Sequence, residues 1–186
     1  MSQTIRQPRR IKTSVYVGVS VDGFIARPDG EVDFLDSTES GDFGFADFLA
    51  SVDALVMGRN TYDMVIGSGV NWPYGDKPVV VLTHRDLEIP PHLTDAVEVS
   101  SLDSAELLEA LAARGIEHAY VDGGQTIQSF MRAGLVDHLT VTQVPVLIGA
   151  GIRLFGELDT DVRLHHGETI TFGNGFVQTH YNVVSK

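Results

Sequence analysis

Two runs of uninterrupted aliphatic residues, Ala54-Leu55-Val56-Met57 and Val79-Val80-Val81-Leu82, constrain the fold most. Neither run alternates with polar residues, so both faces of each strand must be covered, as in a sheet flanked by helices on both sides. Helical patterns recur around them. Residues 42–51 carry Phe45, Phe48 and Leu49 at helical spacing, and residues 60–66 fit a helix started by Asn60. Residues 104–114 place Leu107, Leu108 and Leu111 on one face before Gly115, and residues 126–133 end at Gly134. Residues 15–20 and 119–121 read as further strands. The last third changes character: residues 139–144, 162–172 and 176–184 are strand-like and joined by glycine-containing turns. Parallel βα units followed by an antiparallel extension predict one α/β domain over residues 12–186. Its expected form is a three-layer α/β/α arrangement around a mixed, mostly parallel sheet.

Charge narrows the partners. The 186-residue chain has 13 basic and 25 acidic residues, a net charge of −12. Four of the bases (Arg6, Arg9, Arg10, Lys12) crowd the first twelve residues, and residues 1–11 are expected to be a flexible basic start. The remaining body is more acidic still, which disfavours nucleic-acid backbones and anionic membranes and leaves a small molecule as the expected partner. No apolar stretch approaches the ~20 residues that cross a bilayer, and no signal-peptide pattern follows the N-terminal charges. A cytoplasmic protein is expected. Cysteine is absent, which excludes disulfides, thiolate nucleophiles and Cys-ligated zinc. Adjacent His165 and His166 would point to opposite faces of a strand, so no shared metal is expected. Trp72 and Tyr74 are read as packing over the core, and Glu106 and Glu109 as a solvated helix face.

Three strand ends carry unusual chemistry. In Met57-Gly58-Arg59-Asn60-Thr61 a buried strand meets a helix within two residues. The free N–H groups there, with the Thr61 hydroxyl and the Arg59 guanidinium, suit a phosphate; an ordinary turn capped by Asn60 is the plainer alternative. Val121-Asp122-Gly123-Gly124-Gln125-Thr126 repeats the strand–glycine–helix order, and paired glycines let a backbone approach a pyrophosphate. Leu82-Thr83-His84-Arg85 sets a hydroxyl and a cation beyond a strand end, where an adenosine 2′-phosphate could be held. All three follow strands of the same sense, so they would share one edge of the sheet, where ligands bind in open α/β folds.

Together with Ser20-Val21-Asp22-Gly23-Phe24-Ile25-Ala26, Trp72-Pro73-Tyr74-Gly75-Asp76-Lys77-Pro78 and residues 145–155, these motifs resemble the dihydrofolate-reductase-like superfamily. The branch they resemble is the C-terminal reductase domain of bifunctional riboflavin-biosynthesis proteins and its stand-alone relatives. The resemblance spans residues 11–184 and implies an NADPH-dependent oxidoreductase that pairs as a homodimer. It implies Arg59 and Thr61, with Gly58 and Asn60 in the same turn, at phosphates, and Thr83 and Arg85 at the 2′-phosphate end; His84 is a further cofactor contact, with loop exposure as the other reading. The backbone of Gly123, Gly124, Gln125 and Thr126 would face the pyrophosphate, and Gly18 and Ile25 would lie near the nicotinamide. Asp42, sixteen residues before Gly58, is the implied catalytic acid, with helix capping as the other reading. The implied substrate is a pyrimidine- or pterin-like ring, on the pattern of 5-amino-6-(5-phosphoribosylamino)uracil reduction. Dihydrofolate reduction and a non-catalytic nucleotide-binding module are the alternatives. A phosphorylated substrate needs a cation, for which Arg153 is the first candidate and Arg27 the second; the other reading of Arg153 is a loop residue paired with Glu157. No metal is implied for the reductase half.

Overall fold

The computed structural model describes residues 11–35, 41–69 and 71–184. The expected flexible start lies outside these residues except for Ile11, which is buried in the core at 3% exposure. The chain runs β1 (Lys12–Ser20), β2 (Phe24–Ala26), α1 (Phe45–Ala50), β3 (Ala54–Gly58), α2 (Arg59–Gly67), β4 (Val79–Leu82), β5 (Val97–Ser100) and α3 (Ser104–Ala113). It continues with β6 (His118–Asp122), α4 (Gly124–Arg132), β7 (His138–Val144), β8 (Ile152–Arg153), β9 (Leu164–Thr171) and β10 (Val177–Val183). Eight strands form one sheet in the order β5-β4-β3-β6-β1-β7-β10-β9, while β2 and β8 make a separate antiparallel ribbon. Pairings from β5 through β7 are parallel, and β10 lies antiparallel to both of its neighbours.

Strand alternation divides the aliphatic runs between two cores. Val56 and Val80 face Leu107, Leu108 and Leu111 of α3 and Ile127 and Phe130 of α4. Leu55, Met57, Val79 and Val81 face the other way, toward Tyr62 and Val65 of α2 and the aromatic side chains of α1. Such runs are therefore apolar throughout because each face has its own helical layer. Leu111, 1% exposed, is a central member of the first core. Its truncation to alanine would cost about 2–5 kcal/mol, combining lost burial with an unfilled void. Trp72 packs edge-on between Tyr62 and Tyr74, at 6.3 and 5.0 Å, in the second core.

The structure differs from the sequence expectation in a few places. The short strands β2, β5 and β8 carry no period long enough to announce them; in β5 only Val97 is buried. Helix α2 begins at Arg59 with Gly58 as its N-cap and no side-chain cap, so Asn60 does not start it. Glu106 is more than a solvated face. With Asp103 it forms a capping box, the Asp103 carboxylate accepting the N–H groups of Ala105 and Glu106 at 2.9 Å.

Candidate active site

The carboxyl ends of β1, β3, β4 and β6 open onto one cleft of about 630 Å³. Gly18, Ile25, Gly58, Arg59, Asn60, Thr61, Thr83, Arg85, Gly123, Gly124, Gln125 and Thr126 all line it. Parallel pairing brings them together: β3 lies between β4 and β6, so the turns after all three strands emerge side by side. His84, in the same loop as Thr83 and Arg85, is exposed and does not line the cleft.

Two helices start at this edge, and both starts are open. The N-caps of α2 and α4 are Gly58 and Gly123, and neither helix has a side-chain cap. In α4 the first intrahelical bond runs from the Ile127 N–H to the Gly123 carbonyl at 2.8 Å, so the amides of the preceding turn have no carbonyl of the helix to reach. Gly123 sits at φ +92°, a conformation that other L residues rarely adopt. Gly124 is buried. A β-carbon there would meet Ile152 Cγ2 at 2.8 Å and Ile25 Cδ1 at 3.2 Å, so its bareness admits the β2–β8 ribbon.

Arg59 is held at the cleft rim. Its Nε lies 2.9 and 2.8 Å from the Asp63 carboxylate oxygens, and its Nη1 donates to the Asp86 carbonyl at 2.8 Å. Its remaining donors stay available to the cleft, at a fixed position. Arg85 is exposed, and its backbone N–H donates to the Thr83 hydroxyl at 3.1 Å. That bond ties the Thr83 and Arg85 turn together.

The opposite wall comes from β1 and the segment ending at Leu35, with α1 behind it. Tyr16 lines the cleft, stacks on Phe48 with ring centroids 4.8 Å apart, and donates its hydroxyl to the Phe43 carbonyl at 2.5 Å. Gln178, 2% exposed, donates to the Tyr16 hydroxyl and to Thr142 Oγ1 at 2.8 and 2.9 Å. Burial raises the Tyr16 pKa, so the hydroxyl stays a neutral donor. Leu35 packs where a side chain at Gly18 would lie, its Cδ2 2.7 Å from that position.

Asp122 is the residue that sequence reasoning quoted but left without a role. It ends β6 at the floor of the cleft, and its Oδ1 accepts the Gly123 N–H at 2.8 Å. Burial pushes its pKa up to about 6, against the hydrogen bonds from Gly123 and Tyr120 that favour the charged form. The legible signal was an acidic residue at a buried strand end beside two glycines. The single Tyr120 hydroxyl proton is shared with the Tyr16 carbonyl, 3.0 Å away, so the floor and the aromatic wall are joined.

Asp42 lies elsewhere. Its Oδ1 and Oδ2 accept the N–H groups of Gly44 and Ala46, each at 3.0 Å, and these bonds hold its pKa below the usual value. It is exposed and does not line the cleft; the structure places it at the start of α1, just before the N-cap Gly44. Arg153 is also exposed: its guanidinium carbon lies 4.7 Å from the centre of the Phe24 ring, and no ion pair joins it to Glu157 among the described residues. Its neighbour Ile152, not Arg153, lines the cleft. Arg27 is engaged by Asp33 through two hydrogen bonds, one of 2.9 Å from Nη2. Asp22 ties the turn after β1 to the loop after β7, accepting from the Ser20 hydroxyl at 2.6 Å and the Gly149 N–H at 2.7 Å. Among the described residues no group of His, Asp or Glu could hold a metal ion, and no helix is long and apolar enough to cross a membrane.

Sheet order, the reversed β10 and the cleft at the carboxyl edge define a dihydrofolate-reductase-like α/β protein. Within that class the chain belongs to the RibD C-terminal domain family, whose model matches residues 13–178. A Shewanella sp. PV-4 protein named for riboflavin biosynthesis superposes with a TM-score of 0.88 at 35% identity, covering 94% of this chain and all of that one. The uncharacterized protein YwjB of Bacillus subtilis is 36% identical over 91% of this chain and 97% of its own length. A bifunctional deaminase/5-amino-6-(5-phosphoribosylamino)uracil reductase of Thermotoga maritima shares the fold, with a TM-score of 0.71 at 16% identity over 94% of this chain and 57% of that one.

Proposed function

We propose that the protein is an NADPH-dependent reductase of a pyrimidine- or pterin-like ring, with 5-amino-6-(5-phosphoribosylamino)uracil as its nearest named substrate. The observation that carries the reading is the pair of open helix starts. Helix α1 also has a glycine N-cap, Gly44, but the Asp42 carboxylate reaches the Ala46 amide of its first turn, and Asp103 caps α3; in α2 and α4, which open onto the cleft, no side chain caps the glycine N-cap start. Two adjacent helix starts direct amides and positive dipole ends at one place, which suits a pyrophosphate. The Thr83–Arg85 turn beside them offers a hydroxyl and a cation for a 2′-phosphate. The residues present therefore fit the cofactor, and relatives of the same fold support it, among them an Enterococcus faecalis dihydrofolate reductase complexed with NADP(H).

When bound, NADPH supplies the hydride. The chain's own part is to hold the ring, exclude water and manage a proton. Tyr16 and Leu35 form an apolar wall for a flat ring, braced from behind by Phe48 and Gln178. Asp122, whose pKa burial raises to about 6, keeps more of its acid form near neutral pH than an ordinary carboxyl, so it can hydrogen-bond to a ring nitrogen or carbonyl and return a proton to it. Arg27 and Arg153, the candidate cations for a substrate phosphate, are engaged by Asp33 and Phe24 outside the cleft lining, so the described walls address the ring more than a charged tail.

We read the exposed edge strand β9 as the face through which two copies pair, since an uncovered edge invites strand addition. Sedimentation at micromolar concentration tests this, and a monomer alone would refute it. Function is tested by following NADPH oxidation with the phosphoribosylaminouracil compound and with dihydrofolate. Turnover of the first and not of the second is expected. Failure to bind NADPH in a fluorescence titration would overturn the assignment, and preference for dihydrofolate would replace the substrate class.

A further inference from the structure

A second, smaller cavity of about 180 Å³ lies on the α1 side of the sheet, at the amino ends of β1, β6 and β7. Lys12, Ser14, His118, His138, Thr140 and His180 line it, and no aspartate or glutamate does. That is a local reversal of charge in a protein with net charge −12, and it gathers three of its seven histidines. Strand register produces it: Lys12 pairs with His118, Ser14 with His138, and Thr140 with His180, so their side chains rise together from neighbouring strands. The nearest carboxylates are turned to backbone amides. Asp53 Oδ2 accepts the N–H groups of Glu117 and His118, and Asp137 Oδ2 accepts that of Thr13.

The imidazoles are oriented in advance. The Ser51 carbonyl, 2.9 Å from His118 Nδ1, can only accept, so the proton sits on Nδ1 and Nε2 takes the Ser14 hydroxyl at 2.7 Å. Thr140 Oγ1 contacts His180 Nδ1 at 3.0 Å, which leaves Nε2 of that ring to the cavity. Ser14 and Thr140 are 5% and 8% exposed, and both are hydrogen-bonded to the histidines that flank them. A volume of 180 Å³ is that of about six waters, room for a small oxyanion and little more.

We propose that this cavity is a second binding site, for a phosphate-class dianion, distinct from the cofactor cleft. Ser14 and Gly18 are four residues apart on β1, so the two sites lie about 13 Å apart, with Tyr16 and Phe48 between them. The occupant is a free oxyanion or the phosphate of a small monoester whose body projects past Asn182 into solvent.

Binding is linked to protons. Burial lowers the pKa of His138, and the Lys12 charge lowers it further against Asn182 and Asp137. Burial likewise lowers His118; the Ser51 carbonyl opposes this, Lys12 and His138 add to it, and Asp53 opposes it. His180 and Tyr181 from β10 and His165, paired with Asn182 on β9, complete the titratable groups on the facing strands. An anion favours the charged imidazoles, so it is bound with proton uptake and more tightly at lower pH.

Sulfate is the decisive probe, because its own charge does not change between pH 6 and pH 8. Calorimetric titration of the full chain at constant ionic strength is expected to show binding about tenfold tighter at pH 6 than at pH 8. Lys12→Ala and His180→Ala, each removing one donor, should weaken it about tenfold while leaving NADPH affinity unchanged. Lys12 is exposed, so its variant keeps the test alive if His180→Ala folds poorly. Ribose 5-phosphate binding as tightly as inorganic phosphate identifies a monoester site, and phosphate binding alone identifies a free-anion site; both uphold the proposal. No sulfate binding at either pH, or binding that both variants retain, overturns it.

Discussion

The Thr126 hydroxyl lies 2.9 Å from the point where a β-carbon at Gly58 would stand. The reverse contact exists as well, since the Thr61 hydroxyl fills the space a side chain at Gly123 would need. Each helix start thus rests its threonine on the glycine of the other, three residues along in both turns. This reciprocal fit sets the two open helix starts side by side.

Gly58→Ala and Gly123→Ala should therefore both destabilise, for different reasons. At Gly123, φ +92° adds backbone strain of about 1–3 kcal/mol. At Gly58 the backbone is ordinary and the collision is with Thr126 alone, so a Thr126→Ala background should relieve most of the loss. Urea unfolding of the four proteins in that cycle measures it. Equal losses in both backgrounds would refute the contact.

On the proposed function, Arg85 sets the choice of cofactor. Arg85→Ala should weaken NADPH by about 1.5–3 kcal/mol and leave NADH almost unchanged, because only the 2′-phosphate distinguishes them. Fluorescence titration with each nucleotide checks this. An equal loss for both would move Arg85 to the pyrophosphate.

Much of this was legible because the relevant signals are local. The aliphatic runs Ala54–Met57 and Val79–Leu82 announce two covered faces, and Gly58 and Gly123 mark where helices begin without caps. Even the Asp103–Glu106 capping box was present as a pattern, although it was read as surface charge. What could not be read depends on distant parts of the chain. The raised pKa of Asp122 comes from enclosure by separate elements, Tyr120 beside it included. Spacing placed Asp42 near the start of a helix but could not say which way its carboxylate turns. Arg153 required the β2–β8 pairing, which sets it opposite Phe24 and over that ring.

Asp42→Asn discriminates its two readings. At the start of α1, asparagine keeps one carbonyl oxygen to accept from Gly44 or Ala46, so stability should fall somewhat while turnover changes less than about twofold. Loss of kcat with an unchanged melting temperature would restore a catalytic role.

Arg153→Ala should cost about 0.5–1 kcal/mol of stability through loss of the contact with Phe24, and leave KM for the ring substrate unaltered. A raised KM for the phosphorylated substrate only, with NADPH affinity intact, would place the guanidinium at the substrate phosphate after all.

Asp122 gives the protein a pH dependence whose sign is fixed by its environment. Its pKa rises from 3.8 to about 6, chiefly through burial, so between those values the folded state holds a proton that the unfolded state has released. Stability is reduced by this group above about pH 6, where the enclosed carboxyl must ionise, and the penalty disappears below pH 3.8. Its size is at most about 3 kcal/mol, less what cleft water restores to a side chain that keeps some exposure. Asp122→Asn keeps an acceptor for Gly123 and removes the charge, so its thermal melt should exceed that of the native protein at pH 8 and fall level with it near pH 4. The catalytic consequence runs the other way. If the neutral carboxyl returns the proton, kcat should fall as pH rises through about 6, and the asparagine variant should lose both rate and pH dependence while binding NADPH normally. A variant that is more stable at pH 8 yet keeps the native pH–rate profile would leave Asp122 a structural acid and exclude it from the chemistry.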